Sequence, residues 1–381
     1  MSTIVEFRIY RFQFKRSRVI GDSQVRTDEA NIIALELVDA DGRVGLGFAQ
    51  VLFQSIPDEA QIERIFAEEA WPALEGLEPG TVALQVCRSR GGVVRRMSLP
   101  FEEAIQLAVW DLFAKSLKLP LWKLLGAKRE SVPLYASGLD FHLSDHDFTE
   151  LFGRAAELGY RGFKIKVGHP DLERDLHRLD LLSGVVGNHL PVMIDANEAW
   201  TAQEAIFALK TFANAGYPVY WAEDPVPRDD LEGLRLLRQS GLTRINSGEY
   251  LNLSGKKRLI EAGACDVLNV NSHVSDVIRA GWLAAEANIE VAFGNTMFES
   301  GVNAALALPG VRWLEHSFQN FEHLVERPYV IRDGLIFGHD APGHGLVLSS
   351  EAKTKHRRPA MLARDELGPA PIWSPDRICM A

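Results

Sequence analysis

The 381 residues, 46% hydrophobic and 24% charged, have the composition of a water-soluble globular chain, long enough for one large domain and a smaller companion. A formal charge of -10 argues against a broad nucleic-acid or anionic-membrane surface, and the basic run Arg8, Arg11, Lys15, Arg16, Arg18 is interleaved like one solvated strand face. One of those arginines could still serve a small anionic substrate. Three scattered cysteines (Cys87, Cys265, Cys379) fit neither a disulfide framework nor a metal spacing. With no signal-type apolar start and no window of roughly 18 apolar residues, a soluble cytoplasmic protein without membrane partners is expected.

In chain order, Thr3–Phe14 and Asn31–Val38 alternate apolar and polar residues, and the turn Asp39-Ala40-Asp41-Gly42 leads into Val44–Ala49. This pattern predicts an antiparallel meander. Ser17–Asp28 reads as a polar loop between its first two strands, and Phe53–Asp58 as a second loop. A helix is expected from Ser98-Leu99-Pro100, with Ser98 as the cap, Pro100 in the first turn and Glu102 and Glu103 at the positive end of the dipole. A short helix ending at Gly126 closes a small α+β domain, residues 1–126.

From Val132 the pattern changes. Short β-rich segments recur at intervals of about 20 to 30 residues, each followed by a helical stretch: Val132–Ser137, Gly162–Val167, Pro191–Asp195, Val219–Glu223, Arg244–Glu249, Asp266–Asn271, Ile289–Phe293 and Arg312–His316. Eight such units predict a closed parallel barrel; a doubly wound open sheet is the competitor, weakened by the lack of any GxGxxG after a strand. No helix is evident after His316. A hairpin is expected around Arg332-Asp333-Gly334, a return to the first domain through Pro342-Gly343-His344-Gly345, and a loosely ordered end from Lys353.

Barrel active sites lie at the C-terminal strand ends. Those ends carry Lys164 and Lys166, then Asp195, Glu223, Glu249, Asn271, the Gly294-Asn295 region and Glu315. Three carboxylates on consecutive strands repel one another unless a cation sits among them, and oxygen-only ligation selects a hard ion such as Mg2+. The bland alternative is three helix-capping acids. Lys164 and Lys166, two apart on a buried strand, share a side. Burial and mutual repulsion would lower their pKa values, so that one amine serves as a base near neutral pH. On its own KxK is a common solvated-face pattern; beside a carboxylate triad it fits removal of a proton alpha to a metal-bound carboxylate, with the enediolate charge stabilised.

These residues resemble the enolase superfamily, in its mandelate racemase/muconate lactonizing branch. The matching stretches are Lys164–Gly168, Met193–Asn197, Trp221–Pro225, Ser247–Glu249, Ala108–Asp111 with Leu124–Gly126, Val132–Gly138 and Pro342–Gly345, in order over nearly the whole chain. The resemblance implies a (β/α)7β TIM-like barrel over residues 127–325, an N-terminal α+β capping domain over 1–126, and a C-terminal segment, 326–381, completing the cap. It further implies Mg2+ on Asp195, Glu223 and Glu249, Lys166 as the base, and Lys164 as its assistant at the substrate carboxylate. Glu315 would bind that carboxylate, with Asn197, Asn271 and Asn295 as further substrate contacts, and the two loops would close over the site. A homo-oligomer is also implied.

Two departures bear on the reaction. Racemase-like members carry Asp on strand six and His on strand seven, and cycloisomerases a lysine on strand six; here stand Asn271 and Gly294-Asn295. A neutral amide transfers no proton. The expectation is therefore Mg-dependent dehydration of a sugar acid to a 2-keto-3-deoxy acid. The alternatives are a racemase, epimerase or cycloisomerase of a carboxylic acid, or a metal-binding barrel without turnover. His142, His273 and His316 are the candidates for a further acid, although strand alternation aims His316 away from the barrel axis.

Overall fold

The computed structural model describes residues 2–51, 55–83, 97–187, 189–271, 274–295, 298, 300–319 and 321–355. The first three strands, β1 (Ile4–Gly21), β2 (Arg26–Asp39) and β3 (Val44–Gln50), form the expected antiparallel meander. Asp39 accepts from the backbone of Asp41 and Arg43 to hold the turn, where Gly42 takes a φ of 79°.

Alternation divides this sheet between two cores. Ile33, Leu35, Leu37 and Ala49 pack with helices α1 (Glu59–Glu69) and α2 (Phe101–Ser116), whereas Ile32, Ala34, Leu46 and Phe48 join the core of the barrel. The close seat of β3 on α2 requires glycine, because a Cβ at Gly47 would lie 1.8 Å from the carbonyl oxygen of Ala104. Ser98 does not cap α2. Pro100 takes the cap position without a side-chain bond, and Ser98 is drawn off to Glu69 instead. Helix α3 (Leu121–Leu124) follows.

The eight barrel strands are β4 (Ser131–Ser137), β5 (Phe163–Lys166), β6 (Val192–Asp195), β7 (Trp221–Glu223), β8 (Arg244–Ser247), β9 (Val267–Val270), β10 (Glu290–Phe293) and β11 (Val311–His316). Each pairs in parallel with the next, and β11 pairs with β4 to close the ring. Helices α4 (Asp145–Glu157), α5 (Leu172–Val186), α6 (Ala202–Asn214), α7 (Leu231–Ser240), α8 (Leu253–Glu261), α9 (Val274–Glu286) and α10 (Val302–Ala307) occupy the seven intervals. Among the described residues, β11 is followed by a one-turn 3-10 helix, Glu322–Leu324, in place of an eighth barrel helix, so the architecture is (β/α)7β. Inside the ring, Tyr135, Met193, Trp221, Val267, Ala292 and Trp313 form a buried apolar floor. Asp195, Glu223 and Glu315 each lie two residues beyond a floor residue, so the strand period aims them inward above it.

Two expectations are corrected and one is found as expected. Ser17–Asp28 is mostly strand: β1 and β2 extend as a hairpin whose turn is confined to residues 22–25. Its polar residues read as loop because one face meets solvent and the other meets polar groups from the far end of the chain. The expected hairpin is present as β12 (Ile331–Arg332) and β13 (Leu335–Phe337), added antiparallel to β4, and the chain then reaches the cap at His344 as expected. Finally, Ser350–Lys355 is a helix, α11, with Lys353 paired to Glu36 of β2 at 2.8 Å; the rest of the expected loose end lies outside the described residues.

Candidate active site

Register brings the charged residues together. Lys166 of β5 lies beside Asp195 of β6, which lies beside Glu223 of β7. Lys164 donates to Glu223 at 2.5 Å and to Asp195 at 3.3 Å, and stands 3.3 Å from Glu315. Lys166 donates to Asp195 at 2.5 Å and to Asn197 at 2.8 Å. All six residues are buried. Glu249, half-buried just beyond β8, accepts from the Asn271 amide at 3.0 Å. Asn295 accepts from Ser317 at 2.7 Å.

The lysines do not behave as anticipated. Burial disfavours the charge on each, but Glu223, Glu315 and Asp195 outweigh it at Lys164, and Asp195 and Glu315 outweigh it at Lys166, so both ammonium groups are held above the ordinary lysine range. Burial and lysine–lysine repulsion alone would lower both amines, and the ion pairs reverse the sign. Among the carboxylates, burial raises Glu223 well above its ordinary value, and burial with the Glu315 charge raises Glu249 to about 7. Asp195 is buried too, yet the two lysines hold it down at about 2. Four acids and two amines therefore compete for each other's charge.

Donor chemistry suits a hard cation: Asp195, Glu223 and Glu249 offer only oxygen, and Glu223 and Glu249, raised by burial and by the neighbouring acids, would be relieved by added positive charge. In this structure the ammonium of Lys164 bridges Asp195 and Glu223, where a counter-ion is demanded. The ligand oxygens of the three acids are not gathered within 4.8 Å. Among the described residues the one group that compact is His146, Asp147 and Glu150, exposed on α4. Bringing the triad together asks for side-chain rotation, since the backbone register already aligns Asp195 with Glu223.

Several contributors escaped the sequence reading. Tyr135, on the floor of β4, donates to Glu315 at 3.2 Å and puts its ring 5.4 Å from the Lys164 ammonium. Asn246 donates to the second oxygen of Glu223 at 2.9 Å. Asn269 of β9 is fully buried with neither amide atom partnered among the described residues, and a Cβ at Gly294 would come 2.8 Å from its oxygen and 3.3 Å from Glu249. A polar residue inside an apolar strand run was the available signal for the two asparagines. After Asp195 the backbone is strained, with φ of 47° at Asn197 and 65° at Glu198, and a bidentate pair from Arg228 to Glu198 holds it.

The hairpin tip crosses the mouth. Gln24 donates to the Asn197 carbonyl at 2.5 Å, and Gly21 to that of Leu139 at 3.0 Å. Of the candidate histidines, exposed His142 touches this tip through Val25, and His273 lies outside the described residues. His316 faces outward, bonded to Tyr160 at 2.5 Å; burial and the neighbouring Arg18 push it down to about 4.

Comparison with known proteins finds two family profiles. "Mandelate racemase / muconate lactonizing enzyme, N-terminal domain" matches residues 15–126, and "Enolase C-terminal domain-like" matches residues 147–353. The 3,6-anhydro-alpha-L-galactonate cycloisomerase of Streptomyces coelicolor is 31% identical, covering 84% of this chain and 90% of its own. The L-talarate/galactarate dehydratase of Salmonella typhimurium is 30% identical over 88% of this chain and 85% of its own. A crystal structure of that dehydratase, liganded with Mg and L-lyxarohydroxamate, superposes with a TM-score of 0.81, at 26% identity over 94% of both chains. A Mesorhizobium loti protein, provisionally named a mandelate racemase, superposes at 0.90 with 55% identity, covering 97% of this chain and 98% of its own. Epimerases also occur among the relatives, over a smaller share of the chain.

Proposed function

Because the chain belongs to the mandelate racemase/muconate lactonizing enzyme family of the enolase superfamily, we propose that it removes the proton beside the carboxylate of a sugar acid and expels water to give a 2-keto-3-deoxy acid. The observation that carries this reading is the sharing of Asp195 by Lys164 and Lys166 next to Glu223, a buried acid–amine cluster at the barrel mouth. Asp195, Glu223 and Glu249 are the residues suited to hold magnesium, the ion with which relatives are crystallised. Bound there, Mg2+ supplies Lewis-acid stabilisation of the charge that develops on the substrate carboxylate and takes up the acids' charge, so that the lysines can release theirs.

This chain's own groups then have separable tasks. Lys164, with Glu315 and Tyr135 fixing its position, orients the substrate carboxylate. Lys166, held by Asn197, takes the α-proton onto Nζ in its neutral form. As the bond from the β-carbon to its hydroxyl breaks, the resulting ammonium returns that proton to the departing oxygen. Water leaves, the enol tautomerises to the ketone, and Lys166 ends neutral. Return of the proton on the lysine face answers the lack of an acidic residue at the C-terminal ends of barrel strands six and seven, where Asn271 and Asn295 are spent on Glu249 and Ser317. Cycloisomerisation is the second reading, favoured by the 31% identical relative; it uses the same proton abstraction but expels an intramolecular oxygen.

The test is incubation of a panel of sugar acids with the Mg2+-loaded chain in D2O. Dehydration predicts a 2-keto-3-deoxy product and its loss in Lys166→Ala. Deuterium at the α-carbon with all hydroxyls retained supports epimerisation and contradicts dehydration, and no exchange with any acid leaves a barrel that binds without turnover.

A further inference from the structure

The three acids suited to the cation are not held alike. Asp195 and Glu223 end β6 and β7 in register, and the carbonyl of each accepts a main-chain N–H from the preceding strand's end: Val167 to Asp195 at 3.0 Å, Ala196 to Glu223 at 3.1 Å. Glu249 lies beyond the sheet. The pairing of β8 with β9 stops at Ser247 opposite Leu268, and Gly248 turns out of the strand with a φ of 116°. The backbone that carries the third acid has to be held from elsewhere.

Lys256 supplies that hold. From the N-terminal part of α8 its ammonium donates to the carbonyl of Gly248 and, at 3.4 Å, to that of Glu249. The two peptide planes flanking the Glu249 Cα are thus pinned by one side chain, which takes the place of the strand amide used at Asp195 and Glu223.

The position is a costly one for a cation. Lys256 is buried on the inner face of α8 with Gly255 and Leu259, near the positive end of the helix dipole, and the first turn holds no acidic residue. Asp224, Glu249, Asp276 and Cys265 act on its charge, none of them through a hydrogen bond. Among the described residues its hydrogen bonds go to the two carbonyls. An apolar side chain would fill the same place at lower cost, so the carbonyls are the reason for an ammonium there.

We propose that Lys256 is a positioning residue for Glu249, fixing the third ligand so that the site discriminates Mg2+ from the larger Ca2+. The inference rests on the reading of Glu249 as a metal ligand. Mg2+ demands near-octahedral oxygens at about 2.0 to 2.1 Å, whereas Ca2+ accepts irregular sets at about 2.3 to 2.6 Å, so a loosened ligand costs Mg2+ more. The charge of Lys256 drops out of this comparison, because it repels two divalent ions nearly alike. The ratio of the two affinities therefore isolates geometry.

The experiment titrates Mg2+ and Ca2+ separately, by calorimetry, into the full-length wild type, Lys256→Met, Lys256→Arg and Glu249→Gln, with circular dichroism reporting whether each is folded. Lys256→Met is expected to bind Mg2+ about 10-fold more weakly, the usual effect of losing a group that orients a ligand, and Ca2+ within about 3-fold of the wild type. Lys256→Arg, which keeps charge and donors, should recover part of the Mg2+ affinity. Should the Met variant fail to fold, Lys256→Gln is read in its place for the same shift in ratio. Equal weakening of both ions, or no change in either, overturns the inference. If Glu249→Gln weakens Mg2+ binding while the Lys256 variants do not, the inference fails and the ligand reading stands. If Glu249→Gln binds Mg2+ as the wild type does, or the wild type binds neither ion, both fail.

Discussion

Two buried polar networks in this molecule are built on opposite terms. At the junction of cap and tail, Asp111 accepts from the backbone of Leu46 and His344 and from the Lys115 ammonium at 2.6 to 2.9 Å. His344 completes the arrangement: its Nε2 contacts the Leu46 carbonyl at 2.7 Å, and its Nδ1 accepts from the Leu346 amide at 3.1 Å. That pattern needs the neutral imidazole, the form that burial favours first and the nearby Lys115 also favours, against the Asp111 charge. Gly343, at φ 80°, fits there because a Cβ would strike Asp111. At the barrel mouth, by contrast, four acids share two lysines, and burial forces Glu223 and Glu249 toward their neutral forms. The first network is closed on itself and serves stability. The second is internally conflicted, and such conflict is a mark of a working site.

Mutation should separate them. Asp111→Ala takes the acceptor from the buried amides of Leu46 and His344 and the counter-ion from the partly buried Lys115, and is expected to cost about 3 to 5 kcal/mol of stability. Lys166→Met takes one of two cations from four acids but leaves Asp195 with Lys164 as a partner, and is expected to cost less, about 1 to 2 kcal/mol. Denaturant unfolding of the two variants measures this, and an equal loss in both would erase the distinction.

A smaller effect lies on the border between the two kinds of network. His316 neighbours Glu315 but faces outward to Tyr160, and burial lowers it to about 4. Its folded value is below the unfolded one, so the unfolded chain takes up a proton first, and stability falls as pH drops below about 6.5 toward 4. Glu249, Asp140 and Asp224 are raised and act in the opposite sense, so the informative quantity is a difference between two chains. From pH 7 to 5, the wild type should lose about 1 to 2 kcal/mol relative to His316→Gln. A difference that stays flat with pH would show His316 to be charged or exposed.

The sequence made the barrel legible because buried parallel strands are short apolar runs, and each predicted strand meets an observed one within about two residues at either end. The gathering of Asp195, Glu223 and Glu315 at the barrel mouth was legible for the same reason, because each carboxylate follows directly on an apolar run. What could not be read depends on contacts between distant parts of the chain. Arg18 meets Ser317 across 299 residues, so its stretch looked like a solvated loop. Tyr135 looked like an ordinary aromatic of a strand until Glu315 and Lys164 closed around it. The charge state of the lysines was misjudged because it belongs to the whole cluster.

The account's central claim is that the acids of the mouth are arranged to gather one divalent cation. Calorimetric titration of Mg2+ into the wild type and into Glu223→Gln tests it most directly. One ion per chain in the wild type, bound about 10- to 100-fold more weakly in a variant that is folded, is the predicted result. Equal binding by both chains, or none by the wild type at millimolar Mg2+, would contradict it.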